Sequence, residues 1–169
     1  MLELTKNPID VNSFLKRAAT DEDGGVVLFL GTVRRHSRGE KIVWLDYEAY
    51  PPMVIESFKT IAEEVLGRWG VERISILHRL GRLLVGEVAV AVSAASPHRR
   101  EAFEACHYVI DRIKEISPIW KKEFTEDGAV WVGSIGDCSD RDRNVIPLPS
   151  EGEGQGEGDM TALTEVSHV

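Results

Sequence analysis

The sequence contains few cysteines and no long apolar run. Cys106 and Cys138 are the two cysteines among its 169 residues, too few for a disulfide framework and too far apart to suggest a metal-ligand pair. No apolar run approaches the roughly 20 residues that span a bilayer, and the N-terminus, Met1–Lys6, lacks the basic-then-apolar pattern of a secretory signal. We therefore expect a protein of the reducing cytoplasm, with no metal site and no membrane association.

The sequence also lacks an excess of basic residues and a glycine-rich phosphate-binding fingerprint. The formal net charge is −8, and residues 137–169 hold eight acids against two arginines. Residues 1–136 carry the remaining 20 acids and 18 lysines and arginines. Because neither part is strongly basic, the composition argues against general affinity for nucleic acid. Without the fingerprint we expect no nucleotide cofactor, and we predict no cofactor of any other kind.

The composition is typical of one soluble domain followed by a tail. Hydrophobic residues make up 43% and charged residues 28% of the chain, values usual for a globular protein. Residues 1–136 are long enough to bury a core of their own. Residues 137–169 are rich in glycine and glutamate and cannot bury one. We predict a folded domain over residues 1–136 and a disordered acidic tail over residues 137–169.

Hydrophobic periodicity predicts three helices that alternate with strands. The helices are expected near residues 9–18, 51–70 and 97–116, and the strands near 26–30, 42–50, 74–79, 87–95 and 129–132. The continuous apolar run of residues 26–30 predicts a strand buried on both faces, and residues 81–86 are expected to form a turn. Sequential strands with interposed helices predict an α+β domain with a mixed or antiparallel sheet packed against helices.

The third predicted helix has cations at both of its ends. It follows Pro97, which fits a first helical turn, and Pro118 should end it near Glu115 or Ile116. Lys114 then lies in the last turn, and Lys121 lies beyond the break on an extended segment. His98 and Arg99 fall in the predicted first turn, where backbone N–H groups favour an anion. The other interpretation is that these side chains face solvent or pair with nearby glutamates.

A second group of cations follows the first predicted strand. Residues 32–41 include four lysines and arginines, and Arg34 is the one best anchored, being close to the strand end. On charge alone, a solvated, mobile hairpin loop is the simpler interpretation of this segment. The other interpretation is an anion-binding loop, because a loop on a rigid strand often carries ligand-binding residues. If Lys114 and Lys121 share a pocket with Arg34 and Arg99, mutual repulsion should lower the pKa of one ammonium group, and a neutral amine could then act as base or nucleophile.

Two other polar residues fit structural roles. His78 ends a predicted strand and is more simply a core or turn residue than a site residue. Cys106 lies on the apolar face of the third helix, where a thiol behaves as a small hydrophobic group. Neither cysteine resembles a sulfur nucleophile in a basic pocket.

Several motifs together resemble the large, catalytic subunit of molybdopterin synthase. They occur in that family's order and extend over roughly residues 5–133. Two elements are particularly specific, the segment Pro118-Ile119-Trp120-Lys121-Lys122-Glu123 and the lysine that precedes Lys121 by seven residues. The others are residues 25–34, Tyr47-Glu48-Ala49-Tyr50, His78-Arg79-Leu80-Gly81, Gly86-Glu87 and Ser96-Pro97-His98-Arg99.

The resemblance implies a fold, partners and a reaction. The fold would be α+β, of the alpha/beta hammerhead type, in a homodimer that binds two small ubiquitin-like subunits to give a heterotetramer. Each small subunit would carry sulfur as a thiocarboxylate on its C-terminal Gly-Gly tail. The sulfurtransferase would convert cyclic pyranopterin monophosphate into the dithiolene of molybdopterin.

The resemblance also implies roles for five residues. Lys114 and Lys121 would be catalytic and would contact the substrate, and Arg34, His98 and Arg99 would bind its phosphate. Some family members have a further arginine shortly after the segment that corresponds to Trp131-Val132, where this chain has residues 133–136, Gly-Ser-Ile-Gly. The alternatives are a non-catalytic anion-binding or scaffold subunit of the same assembly and a free-standing acyltransferase.

Overall fold

The structure is a computed structural model that describes residues 1–18, 20–126 and 128–132, together with the backbone of residues 145–146. No helix in this part of the chain is long and apolar enough to cross a membrane. The described elements follow the order β1 Leu2–Thr5, α1 Val11–Ala18, β2 Gly25–Thr32, β3 His36–Ser37, β4 Glu40–Ala49, α2 Pro51–Trp69, β5 Arg73–Arg79, β6 Gly81–Leu84, β7 Val88–Ser96, α3 Arg99–Ile116, β8 Ile119–Thr125, β9 Ala129–Val132 and β10 Val145–Ile146. The predicted α+β class is confirmed.

The first sheet supports the two long helices. Its strand order is β1-β5-β7-β2, with β1 parallel to β5 and the other pairs antiparallel. Helices α2 and α3 pack on one face of this sheet through a single apolar cluster. The residues that α2 and α3 bury there recur at helical spacing, as predicted: Val54, Phe58, Ile61, Val65, Ala105, Cys106, Val109 and Ile113. Each fully buried large apolar side chain contributes about 1.5–3 kcal/mol, so this cluster fixes α3 firmly on the sheet.

Strand β2 corrects one prediction. Its apolar sequence predicts burial on both faces, but β2 is the edge strand of the first sheet, and Val26 and Phe29 are each 39% exposed. The hydrophobicity of a strand indicates how much its side chains would gain from burial. Whether another layer of the fold covers them depends on the tertiary structure. The described part of the chain provides no second layer over these two side chains.

The second sheet is antiparallel and contains four strands that the sequence did not predict as such, among them β10, the backbone of residues 145–146 within the predicted tail. Its order is β10-β9-β8-β4-β3, and β6 pairs with β4. The predicted turn of residues 81–86 includes β6, and the extended segment after Pro118 is β8. Strand β3 lies in the predicted loop of residues 32–41, and β1, at the N-terminus, was also missed. Apart from β3, which pairs with β4 across a tight turn, these strands pair with segments distant in the sequence, which local patterns do not reveal.

The helix ends follow the sequence signals with one shift. Asp10 caps α1, since its Oδ1 accepts hydrogen bonds from the backbone N–H groups of Asn12 and Ser13 at 3.0 and 3.2 Å. Helix α3 ends at Ile116, as predicted, but its N-cap is His98. Pro97 and His98 therefore precede the first turn instead of lying in it.

Two glycines provide opposite stability predictions. Gly67 lies within α2, and an added Cβ would meet no atom within 4 Å, so Gly67→Ala should stabilise the fold by about 0.5–1 kcal/mol. At Gly24 an added Cβ would overlap the backbone carbonyl of Pro97, so Gly24→Ala should destabilise it. Chemical denaturation of both variants measures the difference. A stabilised Gly24→Ala variant would contradict the close approach of β2 to the start of α3.

Candidate functional site

One cavity collects residues from four separate segments of the chain. Its volume is about 940 Å³. It lies where the segment after β2, the C-terminal end of α3 and one face of the β4–β8 pair meet. The charged side chains that line it are Arg34, Arg38, Asp111, Lys114, Glu115, Lys121 and Glu123. Three of the five predicted site residues, Arg34, Lys114 and Lys121, therefore share one cavity.

The turn between α3 and β8 sets the two lysines relative to each other. The backbone N–H of Ser117 donates to the carbonyl of Ile113 at 3.1 Å, and that of Ile119 donates to the carbonyl of Ser117 at 2.8 Å. The Ser117 hydroxyl also lies 2.8 Å from that of Ser57 in α2. These bonds tie the end of α3 to the start of β8. Lys114 and Lys121 are thereby directed into the same cavity from a helix end and from a strand.

Lys121 forms a salt bridge with a buried carboxylate. Its Nζ lies 2.8 Å from Oε1 of Glu123, and the Ser37 hydroxyl donates to the same oxygen at 3.2 Å. Glu123 and Ser37 are buried, with exposed fractions of 7% and 6%. Hydrogen bonds between charged groups are short and directional, so this arrangement fixes the position of the Lys121 ammonium. The sequence analysis did not assign Glu123, although Lys121 and Glu123 are two apart on a strand and must share a face.

Among the described residues, Lys114 has no salt-bridge partner. Asp111 lies three residues earlier, but the salt bridges of the described residues do not include a pair between them. The carboxylate of Asp111 instead lies 3.7 Å from Nε2 of His107. Lys114 is exposed and lines the cavity. Its ammonium is therefore available to a bound anion.

Arg34 is held in place by its neighbour. Val33 is buried, its N–H donates to the carbonyl of Glu87 at 3.0 Å, and its carbonyl accepts from Gly86 at 2.8 Å. A two-residue hairpin turn follows, with Arg38 and Gly39 at φ values of 51° and 85°. The segment after β2 is thus a structured hairpin rather than a loose loop.

Uncharged aromatic groups form another part of the wall. Tyr47 is the cross-strand neighbour of Lys121, and its ring meets that of His78 edge-on at a centroid distance of 5.1 Å. Burial, together with the nearby Glu123 carboxylate, raises the pKa of Tyr47 to about 12. Burial lowers the pKa of His78 to about 4. Both side chains are therefore neutral at physiological pH, and His78 is both a core residue and a cavity residue.

His98 and Arg99 lie away from this cavity within one chain. Both are exposed at the start of α3, and neither lines the cavity. Arg99 and Lys114 are separated by fifteen residues of helix, which is about 22 Å along its axis. The neighbouring Arg100 pairs with Glu104 at 2.9 Å, as the solvent-facing interpretation of this cluster expected. Substrate binding by His98 and Arg99 stays a prediction.

Cys106 occupies the place predicted for it. Its thiol is buried under α3, and burial raises its pKa to about 11. A thiolate is the reactive form of cysteine, so this side chain is suited to packing rather than to chemistry. Cys138 and residues 133–136 lie outside the described residues, as does the predicted tail except for the backbone of residues 145–146.

Comparisons with known proteins agree with this geometry and with the resemblance seen in the sequence. The molybdopterin synthase catalytic subunit of Bacillus subtilis (strain 168) is 44% identical over 131 residues, which are 78% of this chain and 83% of that protein. Molybdopterin synthase catalytic subunit 1 of Mycobacterium tuberculosis is 43% identical over 130 residues, covering 77% of this chain and 88% of that protein.

A solved structure and a family model complete the comparison. The crystal structure of molybdopterin synthase from Staphylococcus aureus superposes with a TM-score of 0.75 at 41% identity, covering 78% of this chain and 96% of that one. The family model described as "MoaE protein" matches residues 4–116. With that match, and with relatives above 40% identity over most of their length, the chain belongs to the MoaE protein family.

Proposed function

We propose that this chain is the catalytic subunit of a molybdopterin synthase, acting in molybdenum cofactor biosynthesis. It transfers sulfur from the C-terminal thiocarboxylate of a small ubiquitin-like carrier to cyclic pyranopterin monophosphate, and the product is the dithiolene of molybdopterin. The observation that carries the proposal is the convergence of Arg34, Lys114 and Lys121 on one cavity in a chain with a net charge of −8. The same proposal places the enzyme in the cytoplasm.

The cavity suits both reactants. A phosphate and a thiocarboxylate are anions that charge-assisted hydrogen bonds from lysine and arginine stabilise. A volume of about 940 Å³ lies at the upper end of the range for ligand pockets, about 300–1,000 Å³. That space accommodates a tricyclic precursor beside an extended, side-chain-free Gly-Gly tail.

The source of sulfur is the partner. The described residues place no thiol in the cavity, because Cys106 is buried beneath α3 with a raised pKa. An enzyme that receives sulfur on a carrier needs cationic groups at the point of delivery and no cysteine of its own there. The arrangement of Lys114 and Lys121 fits that requirement.

The lysines have the central roles in the mechanism. The anionic sulfur attacks a carbon of the precursor and forms a C–S bond while a C–O bond of the same carbon breaks, and the departing oxygen takes up a proton. Water then attacks the carbonyl carbon and cleaves the C(=O)–S bond, so that the sulfur stays on the precursor and the carrier leaves as a carboxylate. Lys121, positioned by Glu123 and Ser37, orients the thiocarboxylate and stabilises the charge that develops on its oxygen. Lys114 moves protons and holds the precursor with Arg34. Two such transfers supply the two sulfur atoms.

Reconstitution with purified components tests the proposal. The chain is incubated with thiocarboxylated carrier and cyclic pyranopterin monophosphate, and the dithiolene product is measured. We expect product only when all three are present. Carrier binding without any product would favour the non-catalytic scaffold, and product without the carrier would favour a free-standing transferase.

The two neighbouring arginines of the β2–β3 segment give a matched pair of variants. Arg34 lines the cavity and Arg35 does not. Losing one charge-assisted hydrogen bond to the phosphate should raise the KM for the precursor about 10- to 100-fold in Arg34→Ala, whereas Arg35→Ala should behave as the wild type. Equal KM values for the two variants in steady-state assays would remove Arg34 from the substrate site.

His98 and Arg99 enter the proposal through the homodimer. Since they lie about 22 Å of helix from Lys114, they can bind the same phosphate only from a second copy of the chain. An exposed sheet edge supports such a contact, because Phe29 on the edge strand β2 is 39% exposed and also lines the cavity. We therefore propose that His98 and Arg99 complete the cavity of the partner protomer, in an assembly of two large and two small subunits.

Subunit complementation tests this shared site. A variant with His98→Ala and Arg99→Ala and a separate Lys121→Ala variant should each be nearly inactive. If the site is shared, a mixed dimer contains one site with all three residues intact, so mixing after dissociation and reassociation should restore part of the activity. Activity that stays at the level of the separate variants, despite mixed dimers verified by mass spectrometry, would mean that His98, Arg99 and Lys121 act within one protomer, and would contradict the shared site.

A further inference from the structure

The cavity has a neutral region that the proposed mechanism does not use. His78 lines it together with Lys114 and Lys121, and only 6% of the residue is exposed. Buried polar groups are nearly always hydrogen-bonded. The partners of this imidazole therefore indicate what kind of ligand can bind beside it.

The hydrogen bonds of His78 define its protonation. Its Nδ1 lies 2.9 Å from the backbone carbonyl oxygen of Arg79. A carbonyl oxygen only accepts, so Nδ1 carries the proton. The ring is neutral at physiological pH because burial lowers its pKa to about 4. Nε2 therefore carries a lone pair and no proton, which makes it an acceptor.

The acceptor on Nε2 is unused by the protein. Among the described residues, the contact of Nδ1 with the Arg79 carbonyl is the one hydrogen bond made by the His78 ring, and none involves Nε2. In the described part of the chain, Nε2 is also not one of the fully enclosed polar atoms that lack a hydrogen-bond partner. An unpartnered atom that is not enclosed is accessible, and the ring faces the cavity. Nε2 is thus open to a ligand.

The surrounding structure holds this acceptor rigidly. His78 lies on β5, which pairs with β1 on one side and β7 on the other through Leu4 and Val90. Tyr47 meets the imidazole edge-on at 5.1 Å and is itself the cross-strand neighbour of Lys121. Cross-strand neighbours have Cβ atoms about 4.5–5.5 Å apart. The side chain of Tyr47 therefore contacts the His78 ring and also lies next to Lys121.

The chemistry of the two reactants decides which of them binds here. A phosphate and a thiocarboxylate present only acceptor atoms at neutral pH, and a bare lone pair repels both. The pterin ring system presents N–H donors on its ring nitrogens and its amino group. The neutral region therefore fits the ring system, while the cations of the same cavity fit the anionic groups.

We propose that Nε2 of His78 accepts a hydrogen bond from an N–H group of the pterin ring and so orients the precursor against Lys121. This assignment rests on the proposed function and adds a substrate-binding residue to it. His78 selects for a donor-bearing heterocycle and takes no part in binding the carrier tail. Sulfur attack then occurs on a precursor held at its ring and at its phosphate.

Two substitutions of His78 distinguish the role of the Nε2 acceptor from that of the hydrogen bond between Nδ1 and the Arg79 carbonyl. Asparagine at this position keeps a donor near Nδ1 for the Arg79 carbonyl but loses the acceptor, and glutamine places an amide oxygen near Nε2. We expect His78→Asn to weaken precursor binding about 10-fold, as the loss of one buried hydrogen bond does, and His78→Gln to recover most of it. Calorimetry should show unchanged carrier binding in both. Equal losses for precursor and carrier, or no loss in His78→Asn, would overturn the proposal.

A measurement on the wild-type protein avoids any folding defect of the variants. With isotope-labelled histidine, the Nε2 resonance of His78 should move from the unprotonated position toward the hydrogen-bonded one when precursor is added, and should stay fixed when carrier alone is added. If the Nε2 resonance does not move at a saturating concentration of precursor, this assignment is wrong, and the proposed function is left intact. Failure of the wild-type protein to bind or turn over the precursor would overturn both.

Discussion

Replacement of Lys121 by alanine is expected to lower the rate of sulfur transfer by about 10³-fold, because a preorganised charge at the reacting group typically contributes that much. The loss should fall mainly on kcat, since Arg34 and Lys114 remain in the cavity to bind the precursor. Glu123 is left as a buried carboxylate with only the Ser37 hydroxyl as partner. Single-turnover assays with thiocarboxylated carrier measure the effect directly.

The adjacent residue provides the control for this prediction. Lys122 lies on the opposite face of β8, where its ammonium is 5.1 Å from the Phe124 ring and 5.4 Å from the Trp131 ring. Lys122→Ala removes the same charge from the same strand but leaves the cavity unchanged, so turnover should stay near the wild-type value. If both variants kept wild-type rates, the assignment of Lys121 as a catalytic residue would be wrong.

Replacement of Phe58 by alanine is expected to destabilise the fold by about 3–5 kcal/mol, the usual cost of deleting a buried aromatic ring. Phe58 has no exposed surface and belongs to the cluster that joins α2 and α3 to the first sheet. Because α3 carries Lys114 at its end, the loss should lower activity as well as the unfolding midpoint. Denaturant titration followed by circular dichroism gives the free energy.

A surface residue of the same helix shows whether that loss comes from the core. Met53 is 58% exposed in the first turn of α2, and Met53→Ala should change the free energy of unfolding by less than about 0.5 kcal/mol. Similar losses in the two variants would mean that α2 does not pack on the sheet as described.

Sequence patterns predicted the long helices well because the spacing of their apolar residues is a local signal for the face that each helix buries. The apolar spacing of α2 and α3 and the Pro118 break are local signals, and both helices formed with nearly the predicted bounds. Phe103 shows the limit of such spacing: it is apolar and lies three residues before the buried Cys106, yet it is 63% exposed, because apolar spacing does not show how much of a helix the sheet covers. How much of the α3 surface is buried depends on how the helix packs in the folded structure.

The candidate site was predictable in its residue types but not in its arrangement. The sequence indicated the cations, yet the pairing of Lys121 with Glu123 and Ser37 depends on a long-range strand pairing that brings β3, β4 and β8 together. A local signal existed, since Lys121 and Glu123 alternate on one strand. The open Nε2 of His78 has no local signal, because it depends on what the fold places around the ring.

In the proposed dimer, the two ends of helix α3 would contribute to two different cavities. Its C-terminal end delivers Lys114 to the cavity beside Lys121, and its N-terminal end presents His98 and Arg99 at the surface. In a symmetric dimer the second end can serve the neighbouring site. A helix of 18 residues would then link two cavities.

A crystal structure of the chain with cyclic pyranopterin monophosphate bound is the most direct test. It should show the precursor inside the cavity, its phosphate within about 3 Å of at least one of Arg34, Lys114 and Lys121. A precursor bound at full occupancy elsewhere on the protein, with this cavity filled only by water, would contradict the account.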